Sequence, residues 1–191
     1  MPGDGPTIVL VRHGATEWSA AGKHTGTTDV PLSDAGRRDA DRLRERLAGY
    51  DFAAVLCSPL GRAQETCERA GLGGRAETAD DLREFDYGDY EGRTTPEIRE
   101  ERPGWSVWRD GSPGGERPDD VGERADRVIA RLLEAGGDVA VFAHGHLLRV
   151  LGARWIELPA AYGGHLALGT GAICELGYER ERRAIWLWNG R

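Results

Sequence analysis

Lysine is almost missing from this chain: of its 25 basic residues 24 are arginine, and only Lys23 is a lysine. Cysteine is scarce as well, at Cys57, Cys67 and Cys174. An odd number of widely separated cysteines without metal-ligand spacing excludes a disulfide framework and fits reduced, mostly buried thiols. No apolar stretch approaches the ~20 residues of a membrane span, and the N-terminus lacks the basic segment and apolar core of a secretory signal. The expected location is the cytoplasm. A basic block is also lacking. The formal charge of −7 speaks against nucleic acid or an anionic membrane as the main partner.

What is present is an ordinary globular composition, 39% hydrophobic and 30% charged over 191 residues, which suits one domain with a sizeable core. Many arginines alternate with acids: Arg37, Arg38, Arg42, Arg44 and Arg46 with Asp39, Asp41 and Glu45. That pattern is a solvated helix face and is assigned no function.

Along the chain, residues 7–11 are β-branched and aliphatic between Pro6 and Gly14, as in a strand buried on both faces. Ser33 reads as an N-cap opening a helix to about residue 47, with Gly49 as a stop. A strand over 52–57, a helix over 60–70 and a weak strand near 75–78 follow. Pro96 marks the start of another helix. Residues 103–121 are rich in glycine and proline, contain Trp105 and Trp108, and have the length of a lid; the lid-like region as a whole spans about 93–120. A long helix over about 119–135, a strand over 139–143, a helical stretch with Leu147, Leu148, Val150 and Leu151, and a hairpin of strands over 172–178 and 183–188 complete the chain. Alternating strands and helices without repeats predict a single α/β domain over 1–191, with a mostly parallel sheet and right-handed crossovers.

Two strands end in histidine followed by glycine, at Val11-Arg12-His13-Gly14 and Phe142-Ala143-His144-Gly145. In a parallel sheet both imidazoles emerge at the carboxyl edge, where ligands bind, and they face one site if the strands are neighbours. Arg12 offers a planar cationic fork suited to phosphate or carboxylate. His13 offers a ring nitrogen that is nucleophilic when neutral, and Gly14 would let the backbone approach a ligand. Arg62, in the first turn of its helix, would add positive charge, and the loop acid Glu84 would donate a proton. For Glu84 the alternative is a surface carboxylate paired with Arg83 or Arg93. For His146 it is a hydrogen-bonding helix start. His24 and His165 are not assigned to catalysis. His144 and His146 could in principle ligate zinc, but a third ligand at supporting spacing is missing, so no metal and no cofactor is expected.

These residues carry a resemblance. Arg12-His13-Gly14-Ala15-Thr16, Thr25-Gly26, Asp29 to Ser33 with Gly36, Cys57 to Thr66, Leu82-Arg83-Glu84 with Tyr87-Gly88, and His144-Gly145 together resemble the histidine phosphatase, or phosphoglycerate mutase-like, superfamily across most of the chain. The resemblance implies a three-layer α/β/α domain in which His13 attacks the phosphoryl group, Arg12, Arg62 and His144 hold its oxygens, and Glu84 protonates the leaving oxygen. It further implies that Ser19, Thr25, Gly26, Tyr87, Gly145 and His146 line the pocket. Trp105, Trp108 and Arg109 are expected to set specificity, with Arg109 in contact with substrate.

Within the superfamily the text is similar to a branch of small acid phosphatases and sedoheptulose-1,7-bisphosphatase-type enzymes. Mutases of the family are usually longer, with adjacent arginines in an inserted segment, and here only Arg109 lies in that region. The expected activity is therefore hydrolysis of a small phosphorylated metabolite, a sugar phosphate or phosphoglycerate. A mutase-type isomerase and a non-catalytic module that binds phosphorylated ligands are the competing readings. Oligomeric state is left open, a homodimer being one option.

Overall fold

The structure, a computed structural model, describes residues 5–191. Its strands are β1 (Ile8–Arg12), β2 (Ala54–Cys57), β3 (Ala76–Thr78), β4 (Val139–Ala143), β5 (Ile173–Glu179) and β6 (Arg182–Gly190). The helices are α1 (Glu17–Ala20), α2 (Asp34–Leu47), α3 (Gly61–Arg69), α4 (Thr95–Glu101), α5 (Val107–Asp110), α6 (Pro118–Glu134) and α7 (Gly145–Trp155). Helix α2 begins as the sequence predicts: the Ser33 hydroxyl accepts from the Gly36 amide at 3.1 Å, a cap worth about 1 kcal/mol.

The sheet order is β3-β2-β4-β1-β5-β6. The first four strands run parallel, while β5 is antiparallel to β1 and β6 to β5. The expected hairpin thus extends a mostly parallel sheet with an antiparallel edge. Alternation along the buried strands feeds two cores. Ile8, Leu10, Val139 and Val141 face α6 and α7 through Val128, Leu132, Leu148 and Leu151. Val9, Val11, Ala140 and Phe142 face α2 and α3 through Leu43, Ala63 and Cys67. A period of two on strands fully buried on both faces is what the apolar runs required.

Strands β1 and β4 are direct neighbours, with Arg12 opposite Ala143. Pairing continues past the strand ends: the His13 amide donates to the Ala143 carbonyl at 3.0 Å and the Ser58 amide to the Phe142 carbonyl at 2.9 Å. Three adjacent strands therefore deliver His13, His144 and Ser58 to one edge with their backbones fixed.

The lid-like region of residues 93–120 differs from a bare loop. It holds α4, α5 and the start of α6, and Trp105 is buried, its indole donating to the Gly111 carbonyl at 2.9 Å. The segment is anchored to the loop that bears the acid, because the Asp89 amide donates to the Pro113 carbonyl and the Glu116 amide to the Asp86 carbonyl, each at 2.9 Å. Among the described residues, no helix is long and apolar enough to cross a membrane.

Candidate active site

His13 leaves β1 almost wholly buried, and its Nδ1 lies 2.7 Å from the Gly14 carbonyl. A carbonyl can only accept, so the proton sits on Nδ1 and the lone pair on Nε2. Burial, reinforced by the Arg12 and Arg62 guanidinium groups, holds His13 well below the usual histidine range and keeps that lone pair unprotonated at neutral pH.

The His144 ring stands 5.2 Å from that of His13, centroid to centroid. Its Nε2 is 2.7 Å from the Ser58 hydroxyl, whose oxygen already accepts from the Leu60 amide. The arrangement is satisfied when Ser58 donates to Nε2, which leaves the His144 ring proton on Nδ1. Burial and then Arg62 keep this ring neutral as well. Among the described residues, Nε of Arg12, Nε of Arg62 and Nδ1 of His144 are buried with no hydrogen-bond partner. Each unpaired buried donor costs about 1–3 kcal/mol, a cost that a bound oxyanion relieves.

Local structure explains how the two arginines reach this place. Arg12 packs against Gly145, where a Cβ would stand 3.1 Å from the guanidinium carbon, so a larger residue would push the fork aside. Arg62 donates to the carbonyls of Thr25, Gly26 and Thr28 at 2.9 to 3.1 Å, tying loop 25–28 beneath the histidines. The first amides of α3 are not open to an anion, because the Asp29 carboxylate accepts from Gly61 at 2.8 Å and from Arg62 at 3.4 Å. The positive charge at this helix start comes from the Arg62 side chain rather than from free backbone donors.

Glu84 pairs with neither neighbouring arginine: Arg83 is bridged to Asp80 and Arg93 to Glu101. Its carboxyl accepts from the amides of Phe85, His146 and Leu147 at 2.9, 3.0 and 2.9 Å, capping the start of α7. Arg124 fixes the loop from behind by donating to the Asp81 and Arg83 carbonyls while bridging Glu116.

Arg12, His13, Ser19, Thr25, Glu84, Tyr87, Gly145 and His146 line one cleft of about 370 Å³, within the usual size of a small-molecule site. Arg62 and His144 are buried and do not line this cleft. Gly26 lies off the cleft wall, its amide donating to both Glu91 oxygens at 2.9 Å. The Ser19 hydroxyl spends its hydrogen on the Thr16 carbonyl. Arg109 lies away from the cleft. Its side chain is 67% exposed and bridged to Asp110, one residue along a helix too short to aim both Trp108 and Arg109 inward.

Residues without an assigned role in the sequence reading also form the wall: His24, Lys23, Arg99 and Arg149. His24 packs tilted against Tyr87 and edge-on against Trp105, and burial pulls its pKa down to about 4. The Tyr87 hydroxyl and His146 Nδ1 are 2.5 Å apart. Burial pushes Tyr87 well above and His146 well below their ordinary ranges. Tyr87 is thus the donor, and His146 carries its ring proton on Nε2. His144 and His146 are committed to Ser58 and Tyr87, and among the described residues no cluster of three or more histidine, cysteine or acidic side chains is arranged to hold a metal ion.

With this geometry in place, residues 8–191 match the Histidine phosphatase superfamily (branch 1), and the chain belongs to that family. It is 43% identical to an acid phosphatase of Mycobacterium tuberculosis, over 93% of this chain and 89% of the relative. It is 38% identical to sedoheptulose 1,7-bisphosphatase of Saccharomyces cerevisiae, over 83% of this chain and 70% of the relative. The solved structure of an open reading frame product from M. tuberculosis superposes with a TM-score of 0.93 at 40% identity, covering 97% of each chain. The protein is an enzyme, a phosphatase of the histidine phosphatase superfamily with the α/β fold of the phosphoglycerate mutase-like proteins.

Proposed function

We propose that the enzyme hydrolyses a small phosphorylated metabolite, a sugar phosphate or phosphoglycerate, through a phosphohistidine at His13, in the cytoplasm. The observation that carries this reading is the neutral His13 ring whose Nδ1–H is spent on Gly14, which leaves the lone pair on Nε2, in a site where Arg12, Arg62 and His144 each keep a buried donor without a partner among the described residues. Nε2 attacks phosphorus, the ester P–O bond breaks, and the leaving oxygen takes a proton from Glu84. Water then attacks the phosphohistidine, Glu84 takes the water proton, the P–N bond breaks and inorganic phosphate departs. Arg12, Arg62 and His144 hold the equatorial oxygens, over which charge spreads during transfer. The names of the two relatives support a phosphomonoester substrate.

Hydrolysis is preferred over mutase chemistry because Arg109, the one arginine of the segment where mutases carry adjacent arginines, is exposed and paired with Asp110. Water therefore meets no arginine from that segment in the cleft. The test is a rapid-quench trap with labelled phosphoester. Wild type should yield a phosphoryl group that is acid-labile and base-stable, and His13→Ala should yield none while losing turnover by more than about 10⁴-fold. An active His13→Ala enzyme would overturn the proposal. So would efficient interconversion of 3- and 2-phosphoglycerate without phosphate release.

A further inference from the structure

Strand β6 loses its alternation near its end. Gly190 pairs with Ile173 and Leu187 with Glu175, so Trp188 and Asn189 together oppose the single residue Cys174 of β5. Two residues against one make a β-bulge, which re-aims side chains out of the strict alternation of a strand. Asn189 takes a left-handed backbone, with φ of 58°, a conformation that asparagine adopts more readily than most residues. Its amide donates to the Cys174 sulfur at 3.3 Å. Both bulge side chains thereby reach the same loop: the Trp188 indole donates to the Ala167 carbonyl, and Asn189 Oδ1 accepts from the Gly169 amide, each at 2.7 Å.

Residues 166–171 belong to no helix or strand, so these side-chain bonds govern how the loop lies. Between the two anchors, the Leu168 carbonyl accepts from Arg12 Nη1 at 2.5 Å, the one acceptor that the Arg12 fork has among the described residues. The Leu168 carbonyl and the Gly169 amide are the two ends of one peptide unit. That unit is trans and planar, so its C=O and N–H point in opposite directions and cannot turn independently. Asn189 holds the N–H, and Arg12 takes the C=O. A bonded N–H also polarises its carbonyl into a stronger acceptor. The same loop braces the nucleophile's backbone, because the Gly171 amide donates to the Arg12 and His13 carbonyls at 3.2 and 3.1 Å. Arg62 is held separately, by the carbonyls of loop 25–28.

We propose that Asn189 is a positioning residue for phosphoryl transfer. Acting through the peptide between Leu168 and Gly169, with Trp188 holding the carbonyl before it, Asn189 aims Arg12 so that the unpartnered Nε meets an oxygen of the transferring group. The inference rests on the phosphatase reading above, in which Arg12 holds those oxygens. It adds a residue on the antiparallel edge of the sheet that does not line the cleft.

The test is a double-mutant cycle with Asn189→Gly, Asn189→Asp, Arg12→Ala and the double variant Asn189→Gly with Arg12→Ala. It is read on kcat/KM for p-nitrophenyl phosphate and on the Kd of vanadate by calorimetry, so that it closes even where Arg12→Ala turns over too slowly to follow. Glycine keeps the left-handed backbone and removes the acceptor, whereas aspartate keeps an acceptor oxygen. Asn189→Gly should lower kcat/KM by about tenfold and weaken vanadate by a similar factor, while Asn189→Asp stays within about threefold of wild type. In the Arg12→Ala background, Asn189→Gly should cost less than about twofold. A loss of the same size in both backgrounds overturns the inference, because a general loosening of the fold has no need of Arg12. So does full activity in Asn189→Gly, or an Asn189→Asp enzyme as impaired as Asn189→Gly. Should Asn189→Gly fail to fold, Trp188→Phe keeps an aromatic ring against Gly152 and removes the indole donor. Its loss of about threefold should again vanish with Arg12→Ala, and a loss that persists there, or no loss at all, overturns the inference. Wild type that releases no phosphate from p-nitrophenyl phosphate, or an Arg12→Ala enzyme of full activity, defeats the phosphatase reading itself and this inference with it.

Discussion

His13 and His144 leave the ends of adjacent, fully buried strands with their backbones paired to the last residue. Trp105, Trp108 and Arg149 reach the same cleft from a loop, a helix of four residues and one side of α7. The first region takes its precision from the sheet, whose pairing allows no slippage without turning every side chain to the other face. The second is assembled from long-range contacts: Arg149 to residues 163–164, Glu116 to Arg124, Asp89 to Pro113. The residues proposed for phosphoryl transfer sit on the sheet-held part, while the facing wall of the cleft is held by contacts between separate segments.

Glu84 belongs to neither region alone, since its loop lies against the second while its carboxyl caps the helix that follows the second histidine strand. Replacing it with glutamine keeps size and hydrogen-bonding oxygen but removes the transferable proton. An alkyl phosphate should lose roughly 10²- to 10⁴-fold in kcat, whereas a nitrophenyl ester, whose leaving group needs little protonation, should lose about tenfold or less. Stopped-time phosphate assays on the two esters decide this, and equal losses would remove Glu84 from proton transfer.

A smaller effect separates the regions by pH. His24 is buried neutral in the loop-built wall with its pKa lowered to about 4, whereas in the unfolded chain it titrates near 6.5. Below that value the unfolded state binds a proton that the native state refuses, so stability declines as pH falls from about 6.5 to 4 and is retained above it. For His24 the loss amounts to about 3 kcal/mol at the acid end. Urea denaturation at pH 7 and pH 4.5 should show wild type weakening more than His24→Gln. A variant that keeps the full acid loss would place the sensitivity in His13, His144 and His146, which are shifted in the same direction.

The smallest expected change comes from Arg109→Ala. With that side chain exposed and engaged by Asp110 and the Gly104 carbonyl, kcat/KM should stay within about twofold of wild type. A larger loss in a steady-state assay would bring residues 103–116 onto the substrate and restore the role that sequence resemblance suggested.

The pair of strand-end histidines could be read from the chain because its signals are local. A buried strand, a histidine and a glycine occupy seven consecutive positions, twice, at 8–14 and 139–145. Which strands lie side by side is not written in that local text; the β1–β4 pairing supplies it. The outer wall resisted because its residues are far apart in sequence and lack periodicity: the seat of Arg149 depends on residues 163–164 folding back, and the fate of Arg109 on where a four-residue helix happens to turn. One signal was available in the spacing, since Arg149 follows His146 by three positions and so shares its face. Gly14 misled in a different way. Its lack of a side chain serves the close approach of Gly36, because a Cβ on Gly14 would stand 2.4 Å from the Gly36 carbonyl oxygen, and nothing in the local text separates that need from approach by a ligand.

That contact between Gly14 and Gly36 is reciprocal, for a Cβ on Gly36 would stand 2.1 Å from the Ala15 carbonyl oxygen. Neither position can accept a methyl group to compensate for the other, so a substitution at either glycine moves the turn that carries His13 away from α2.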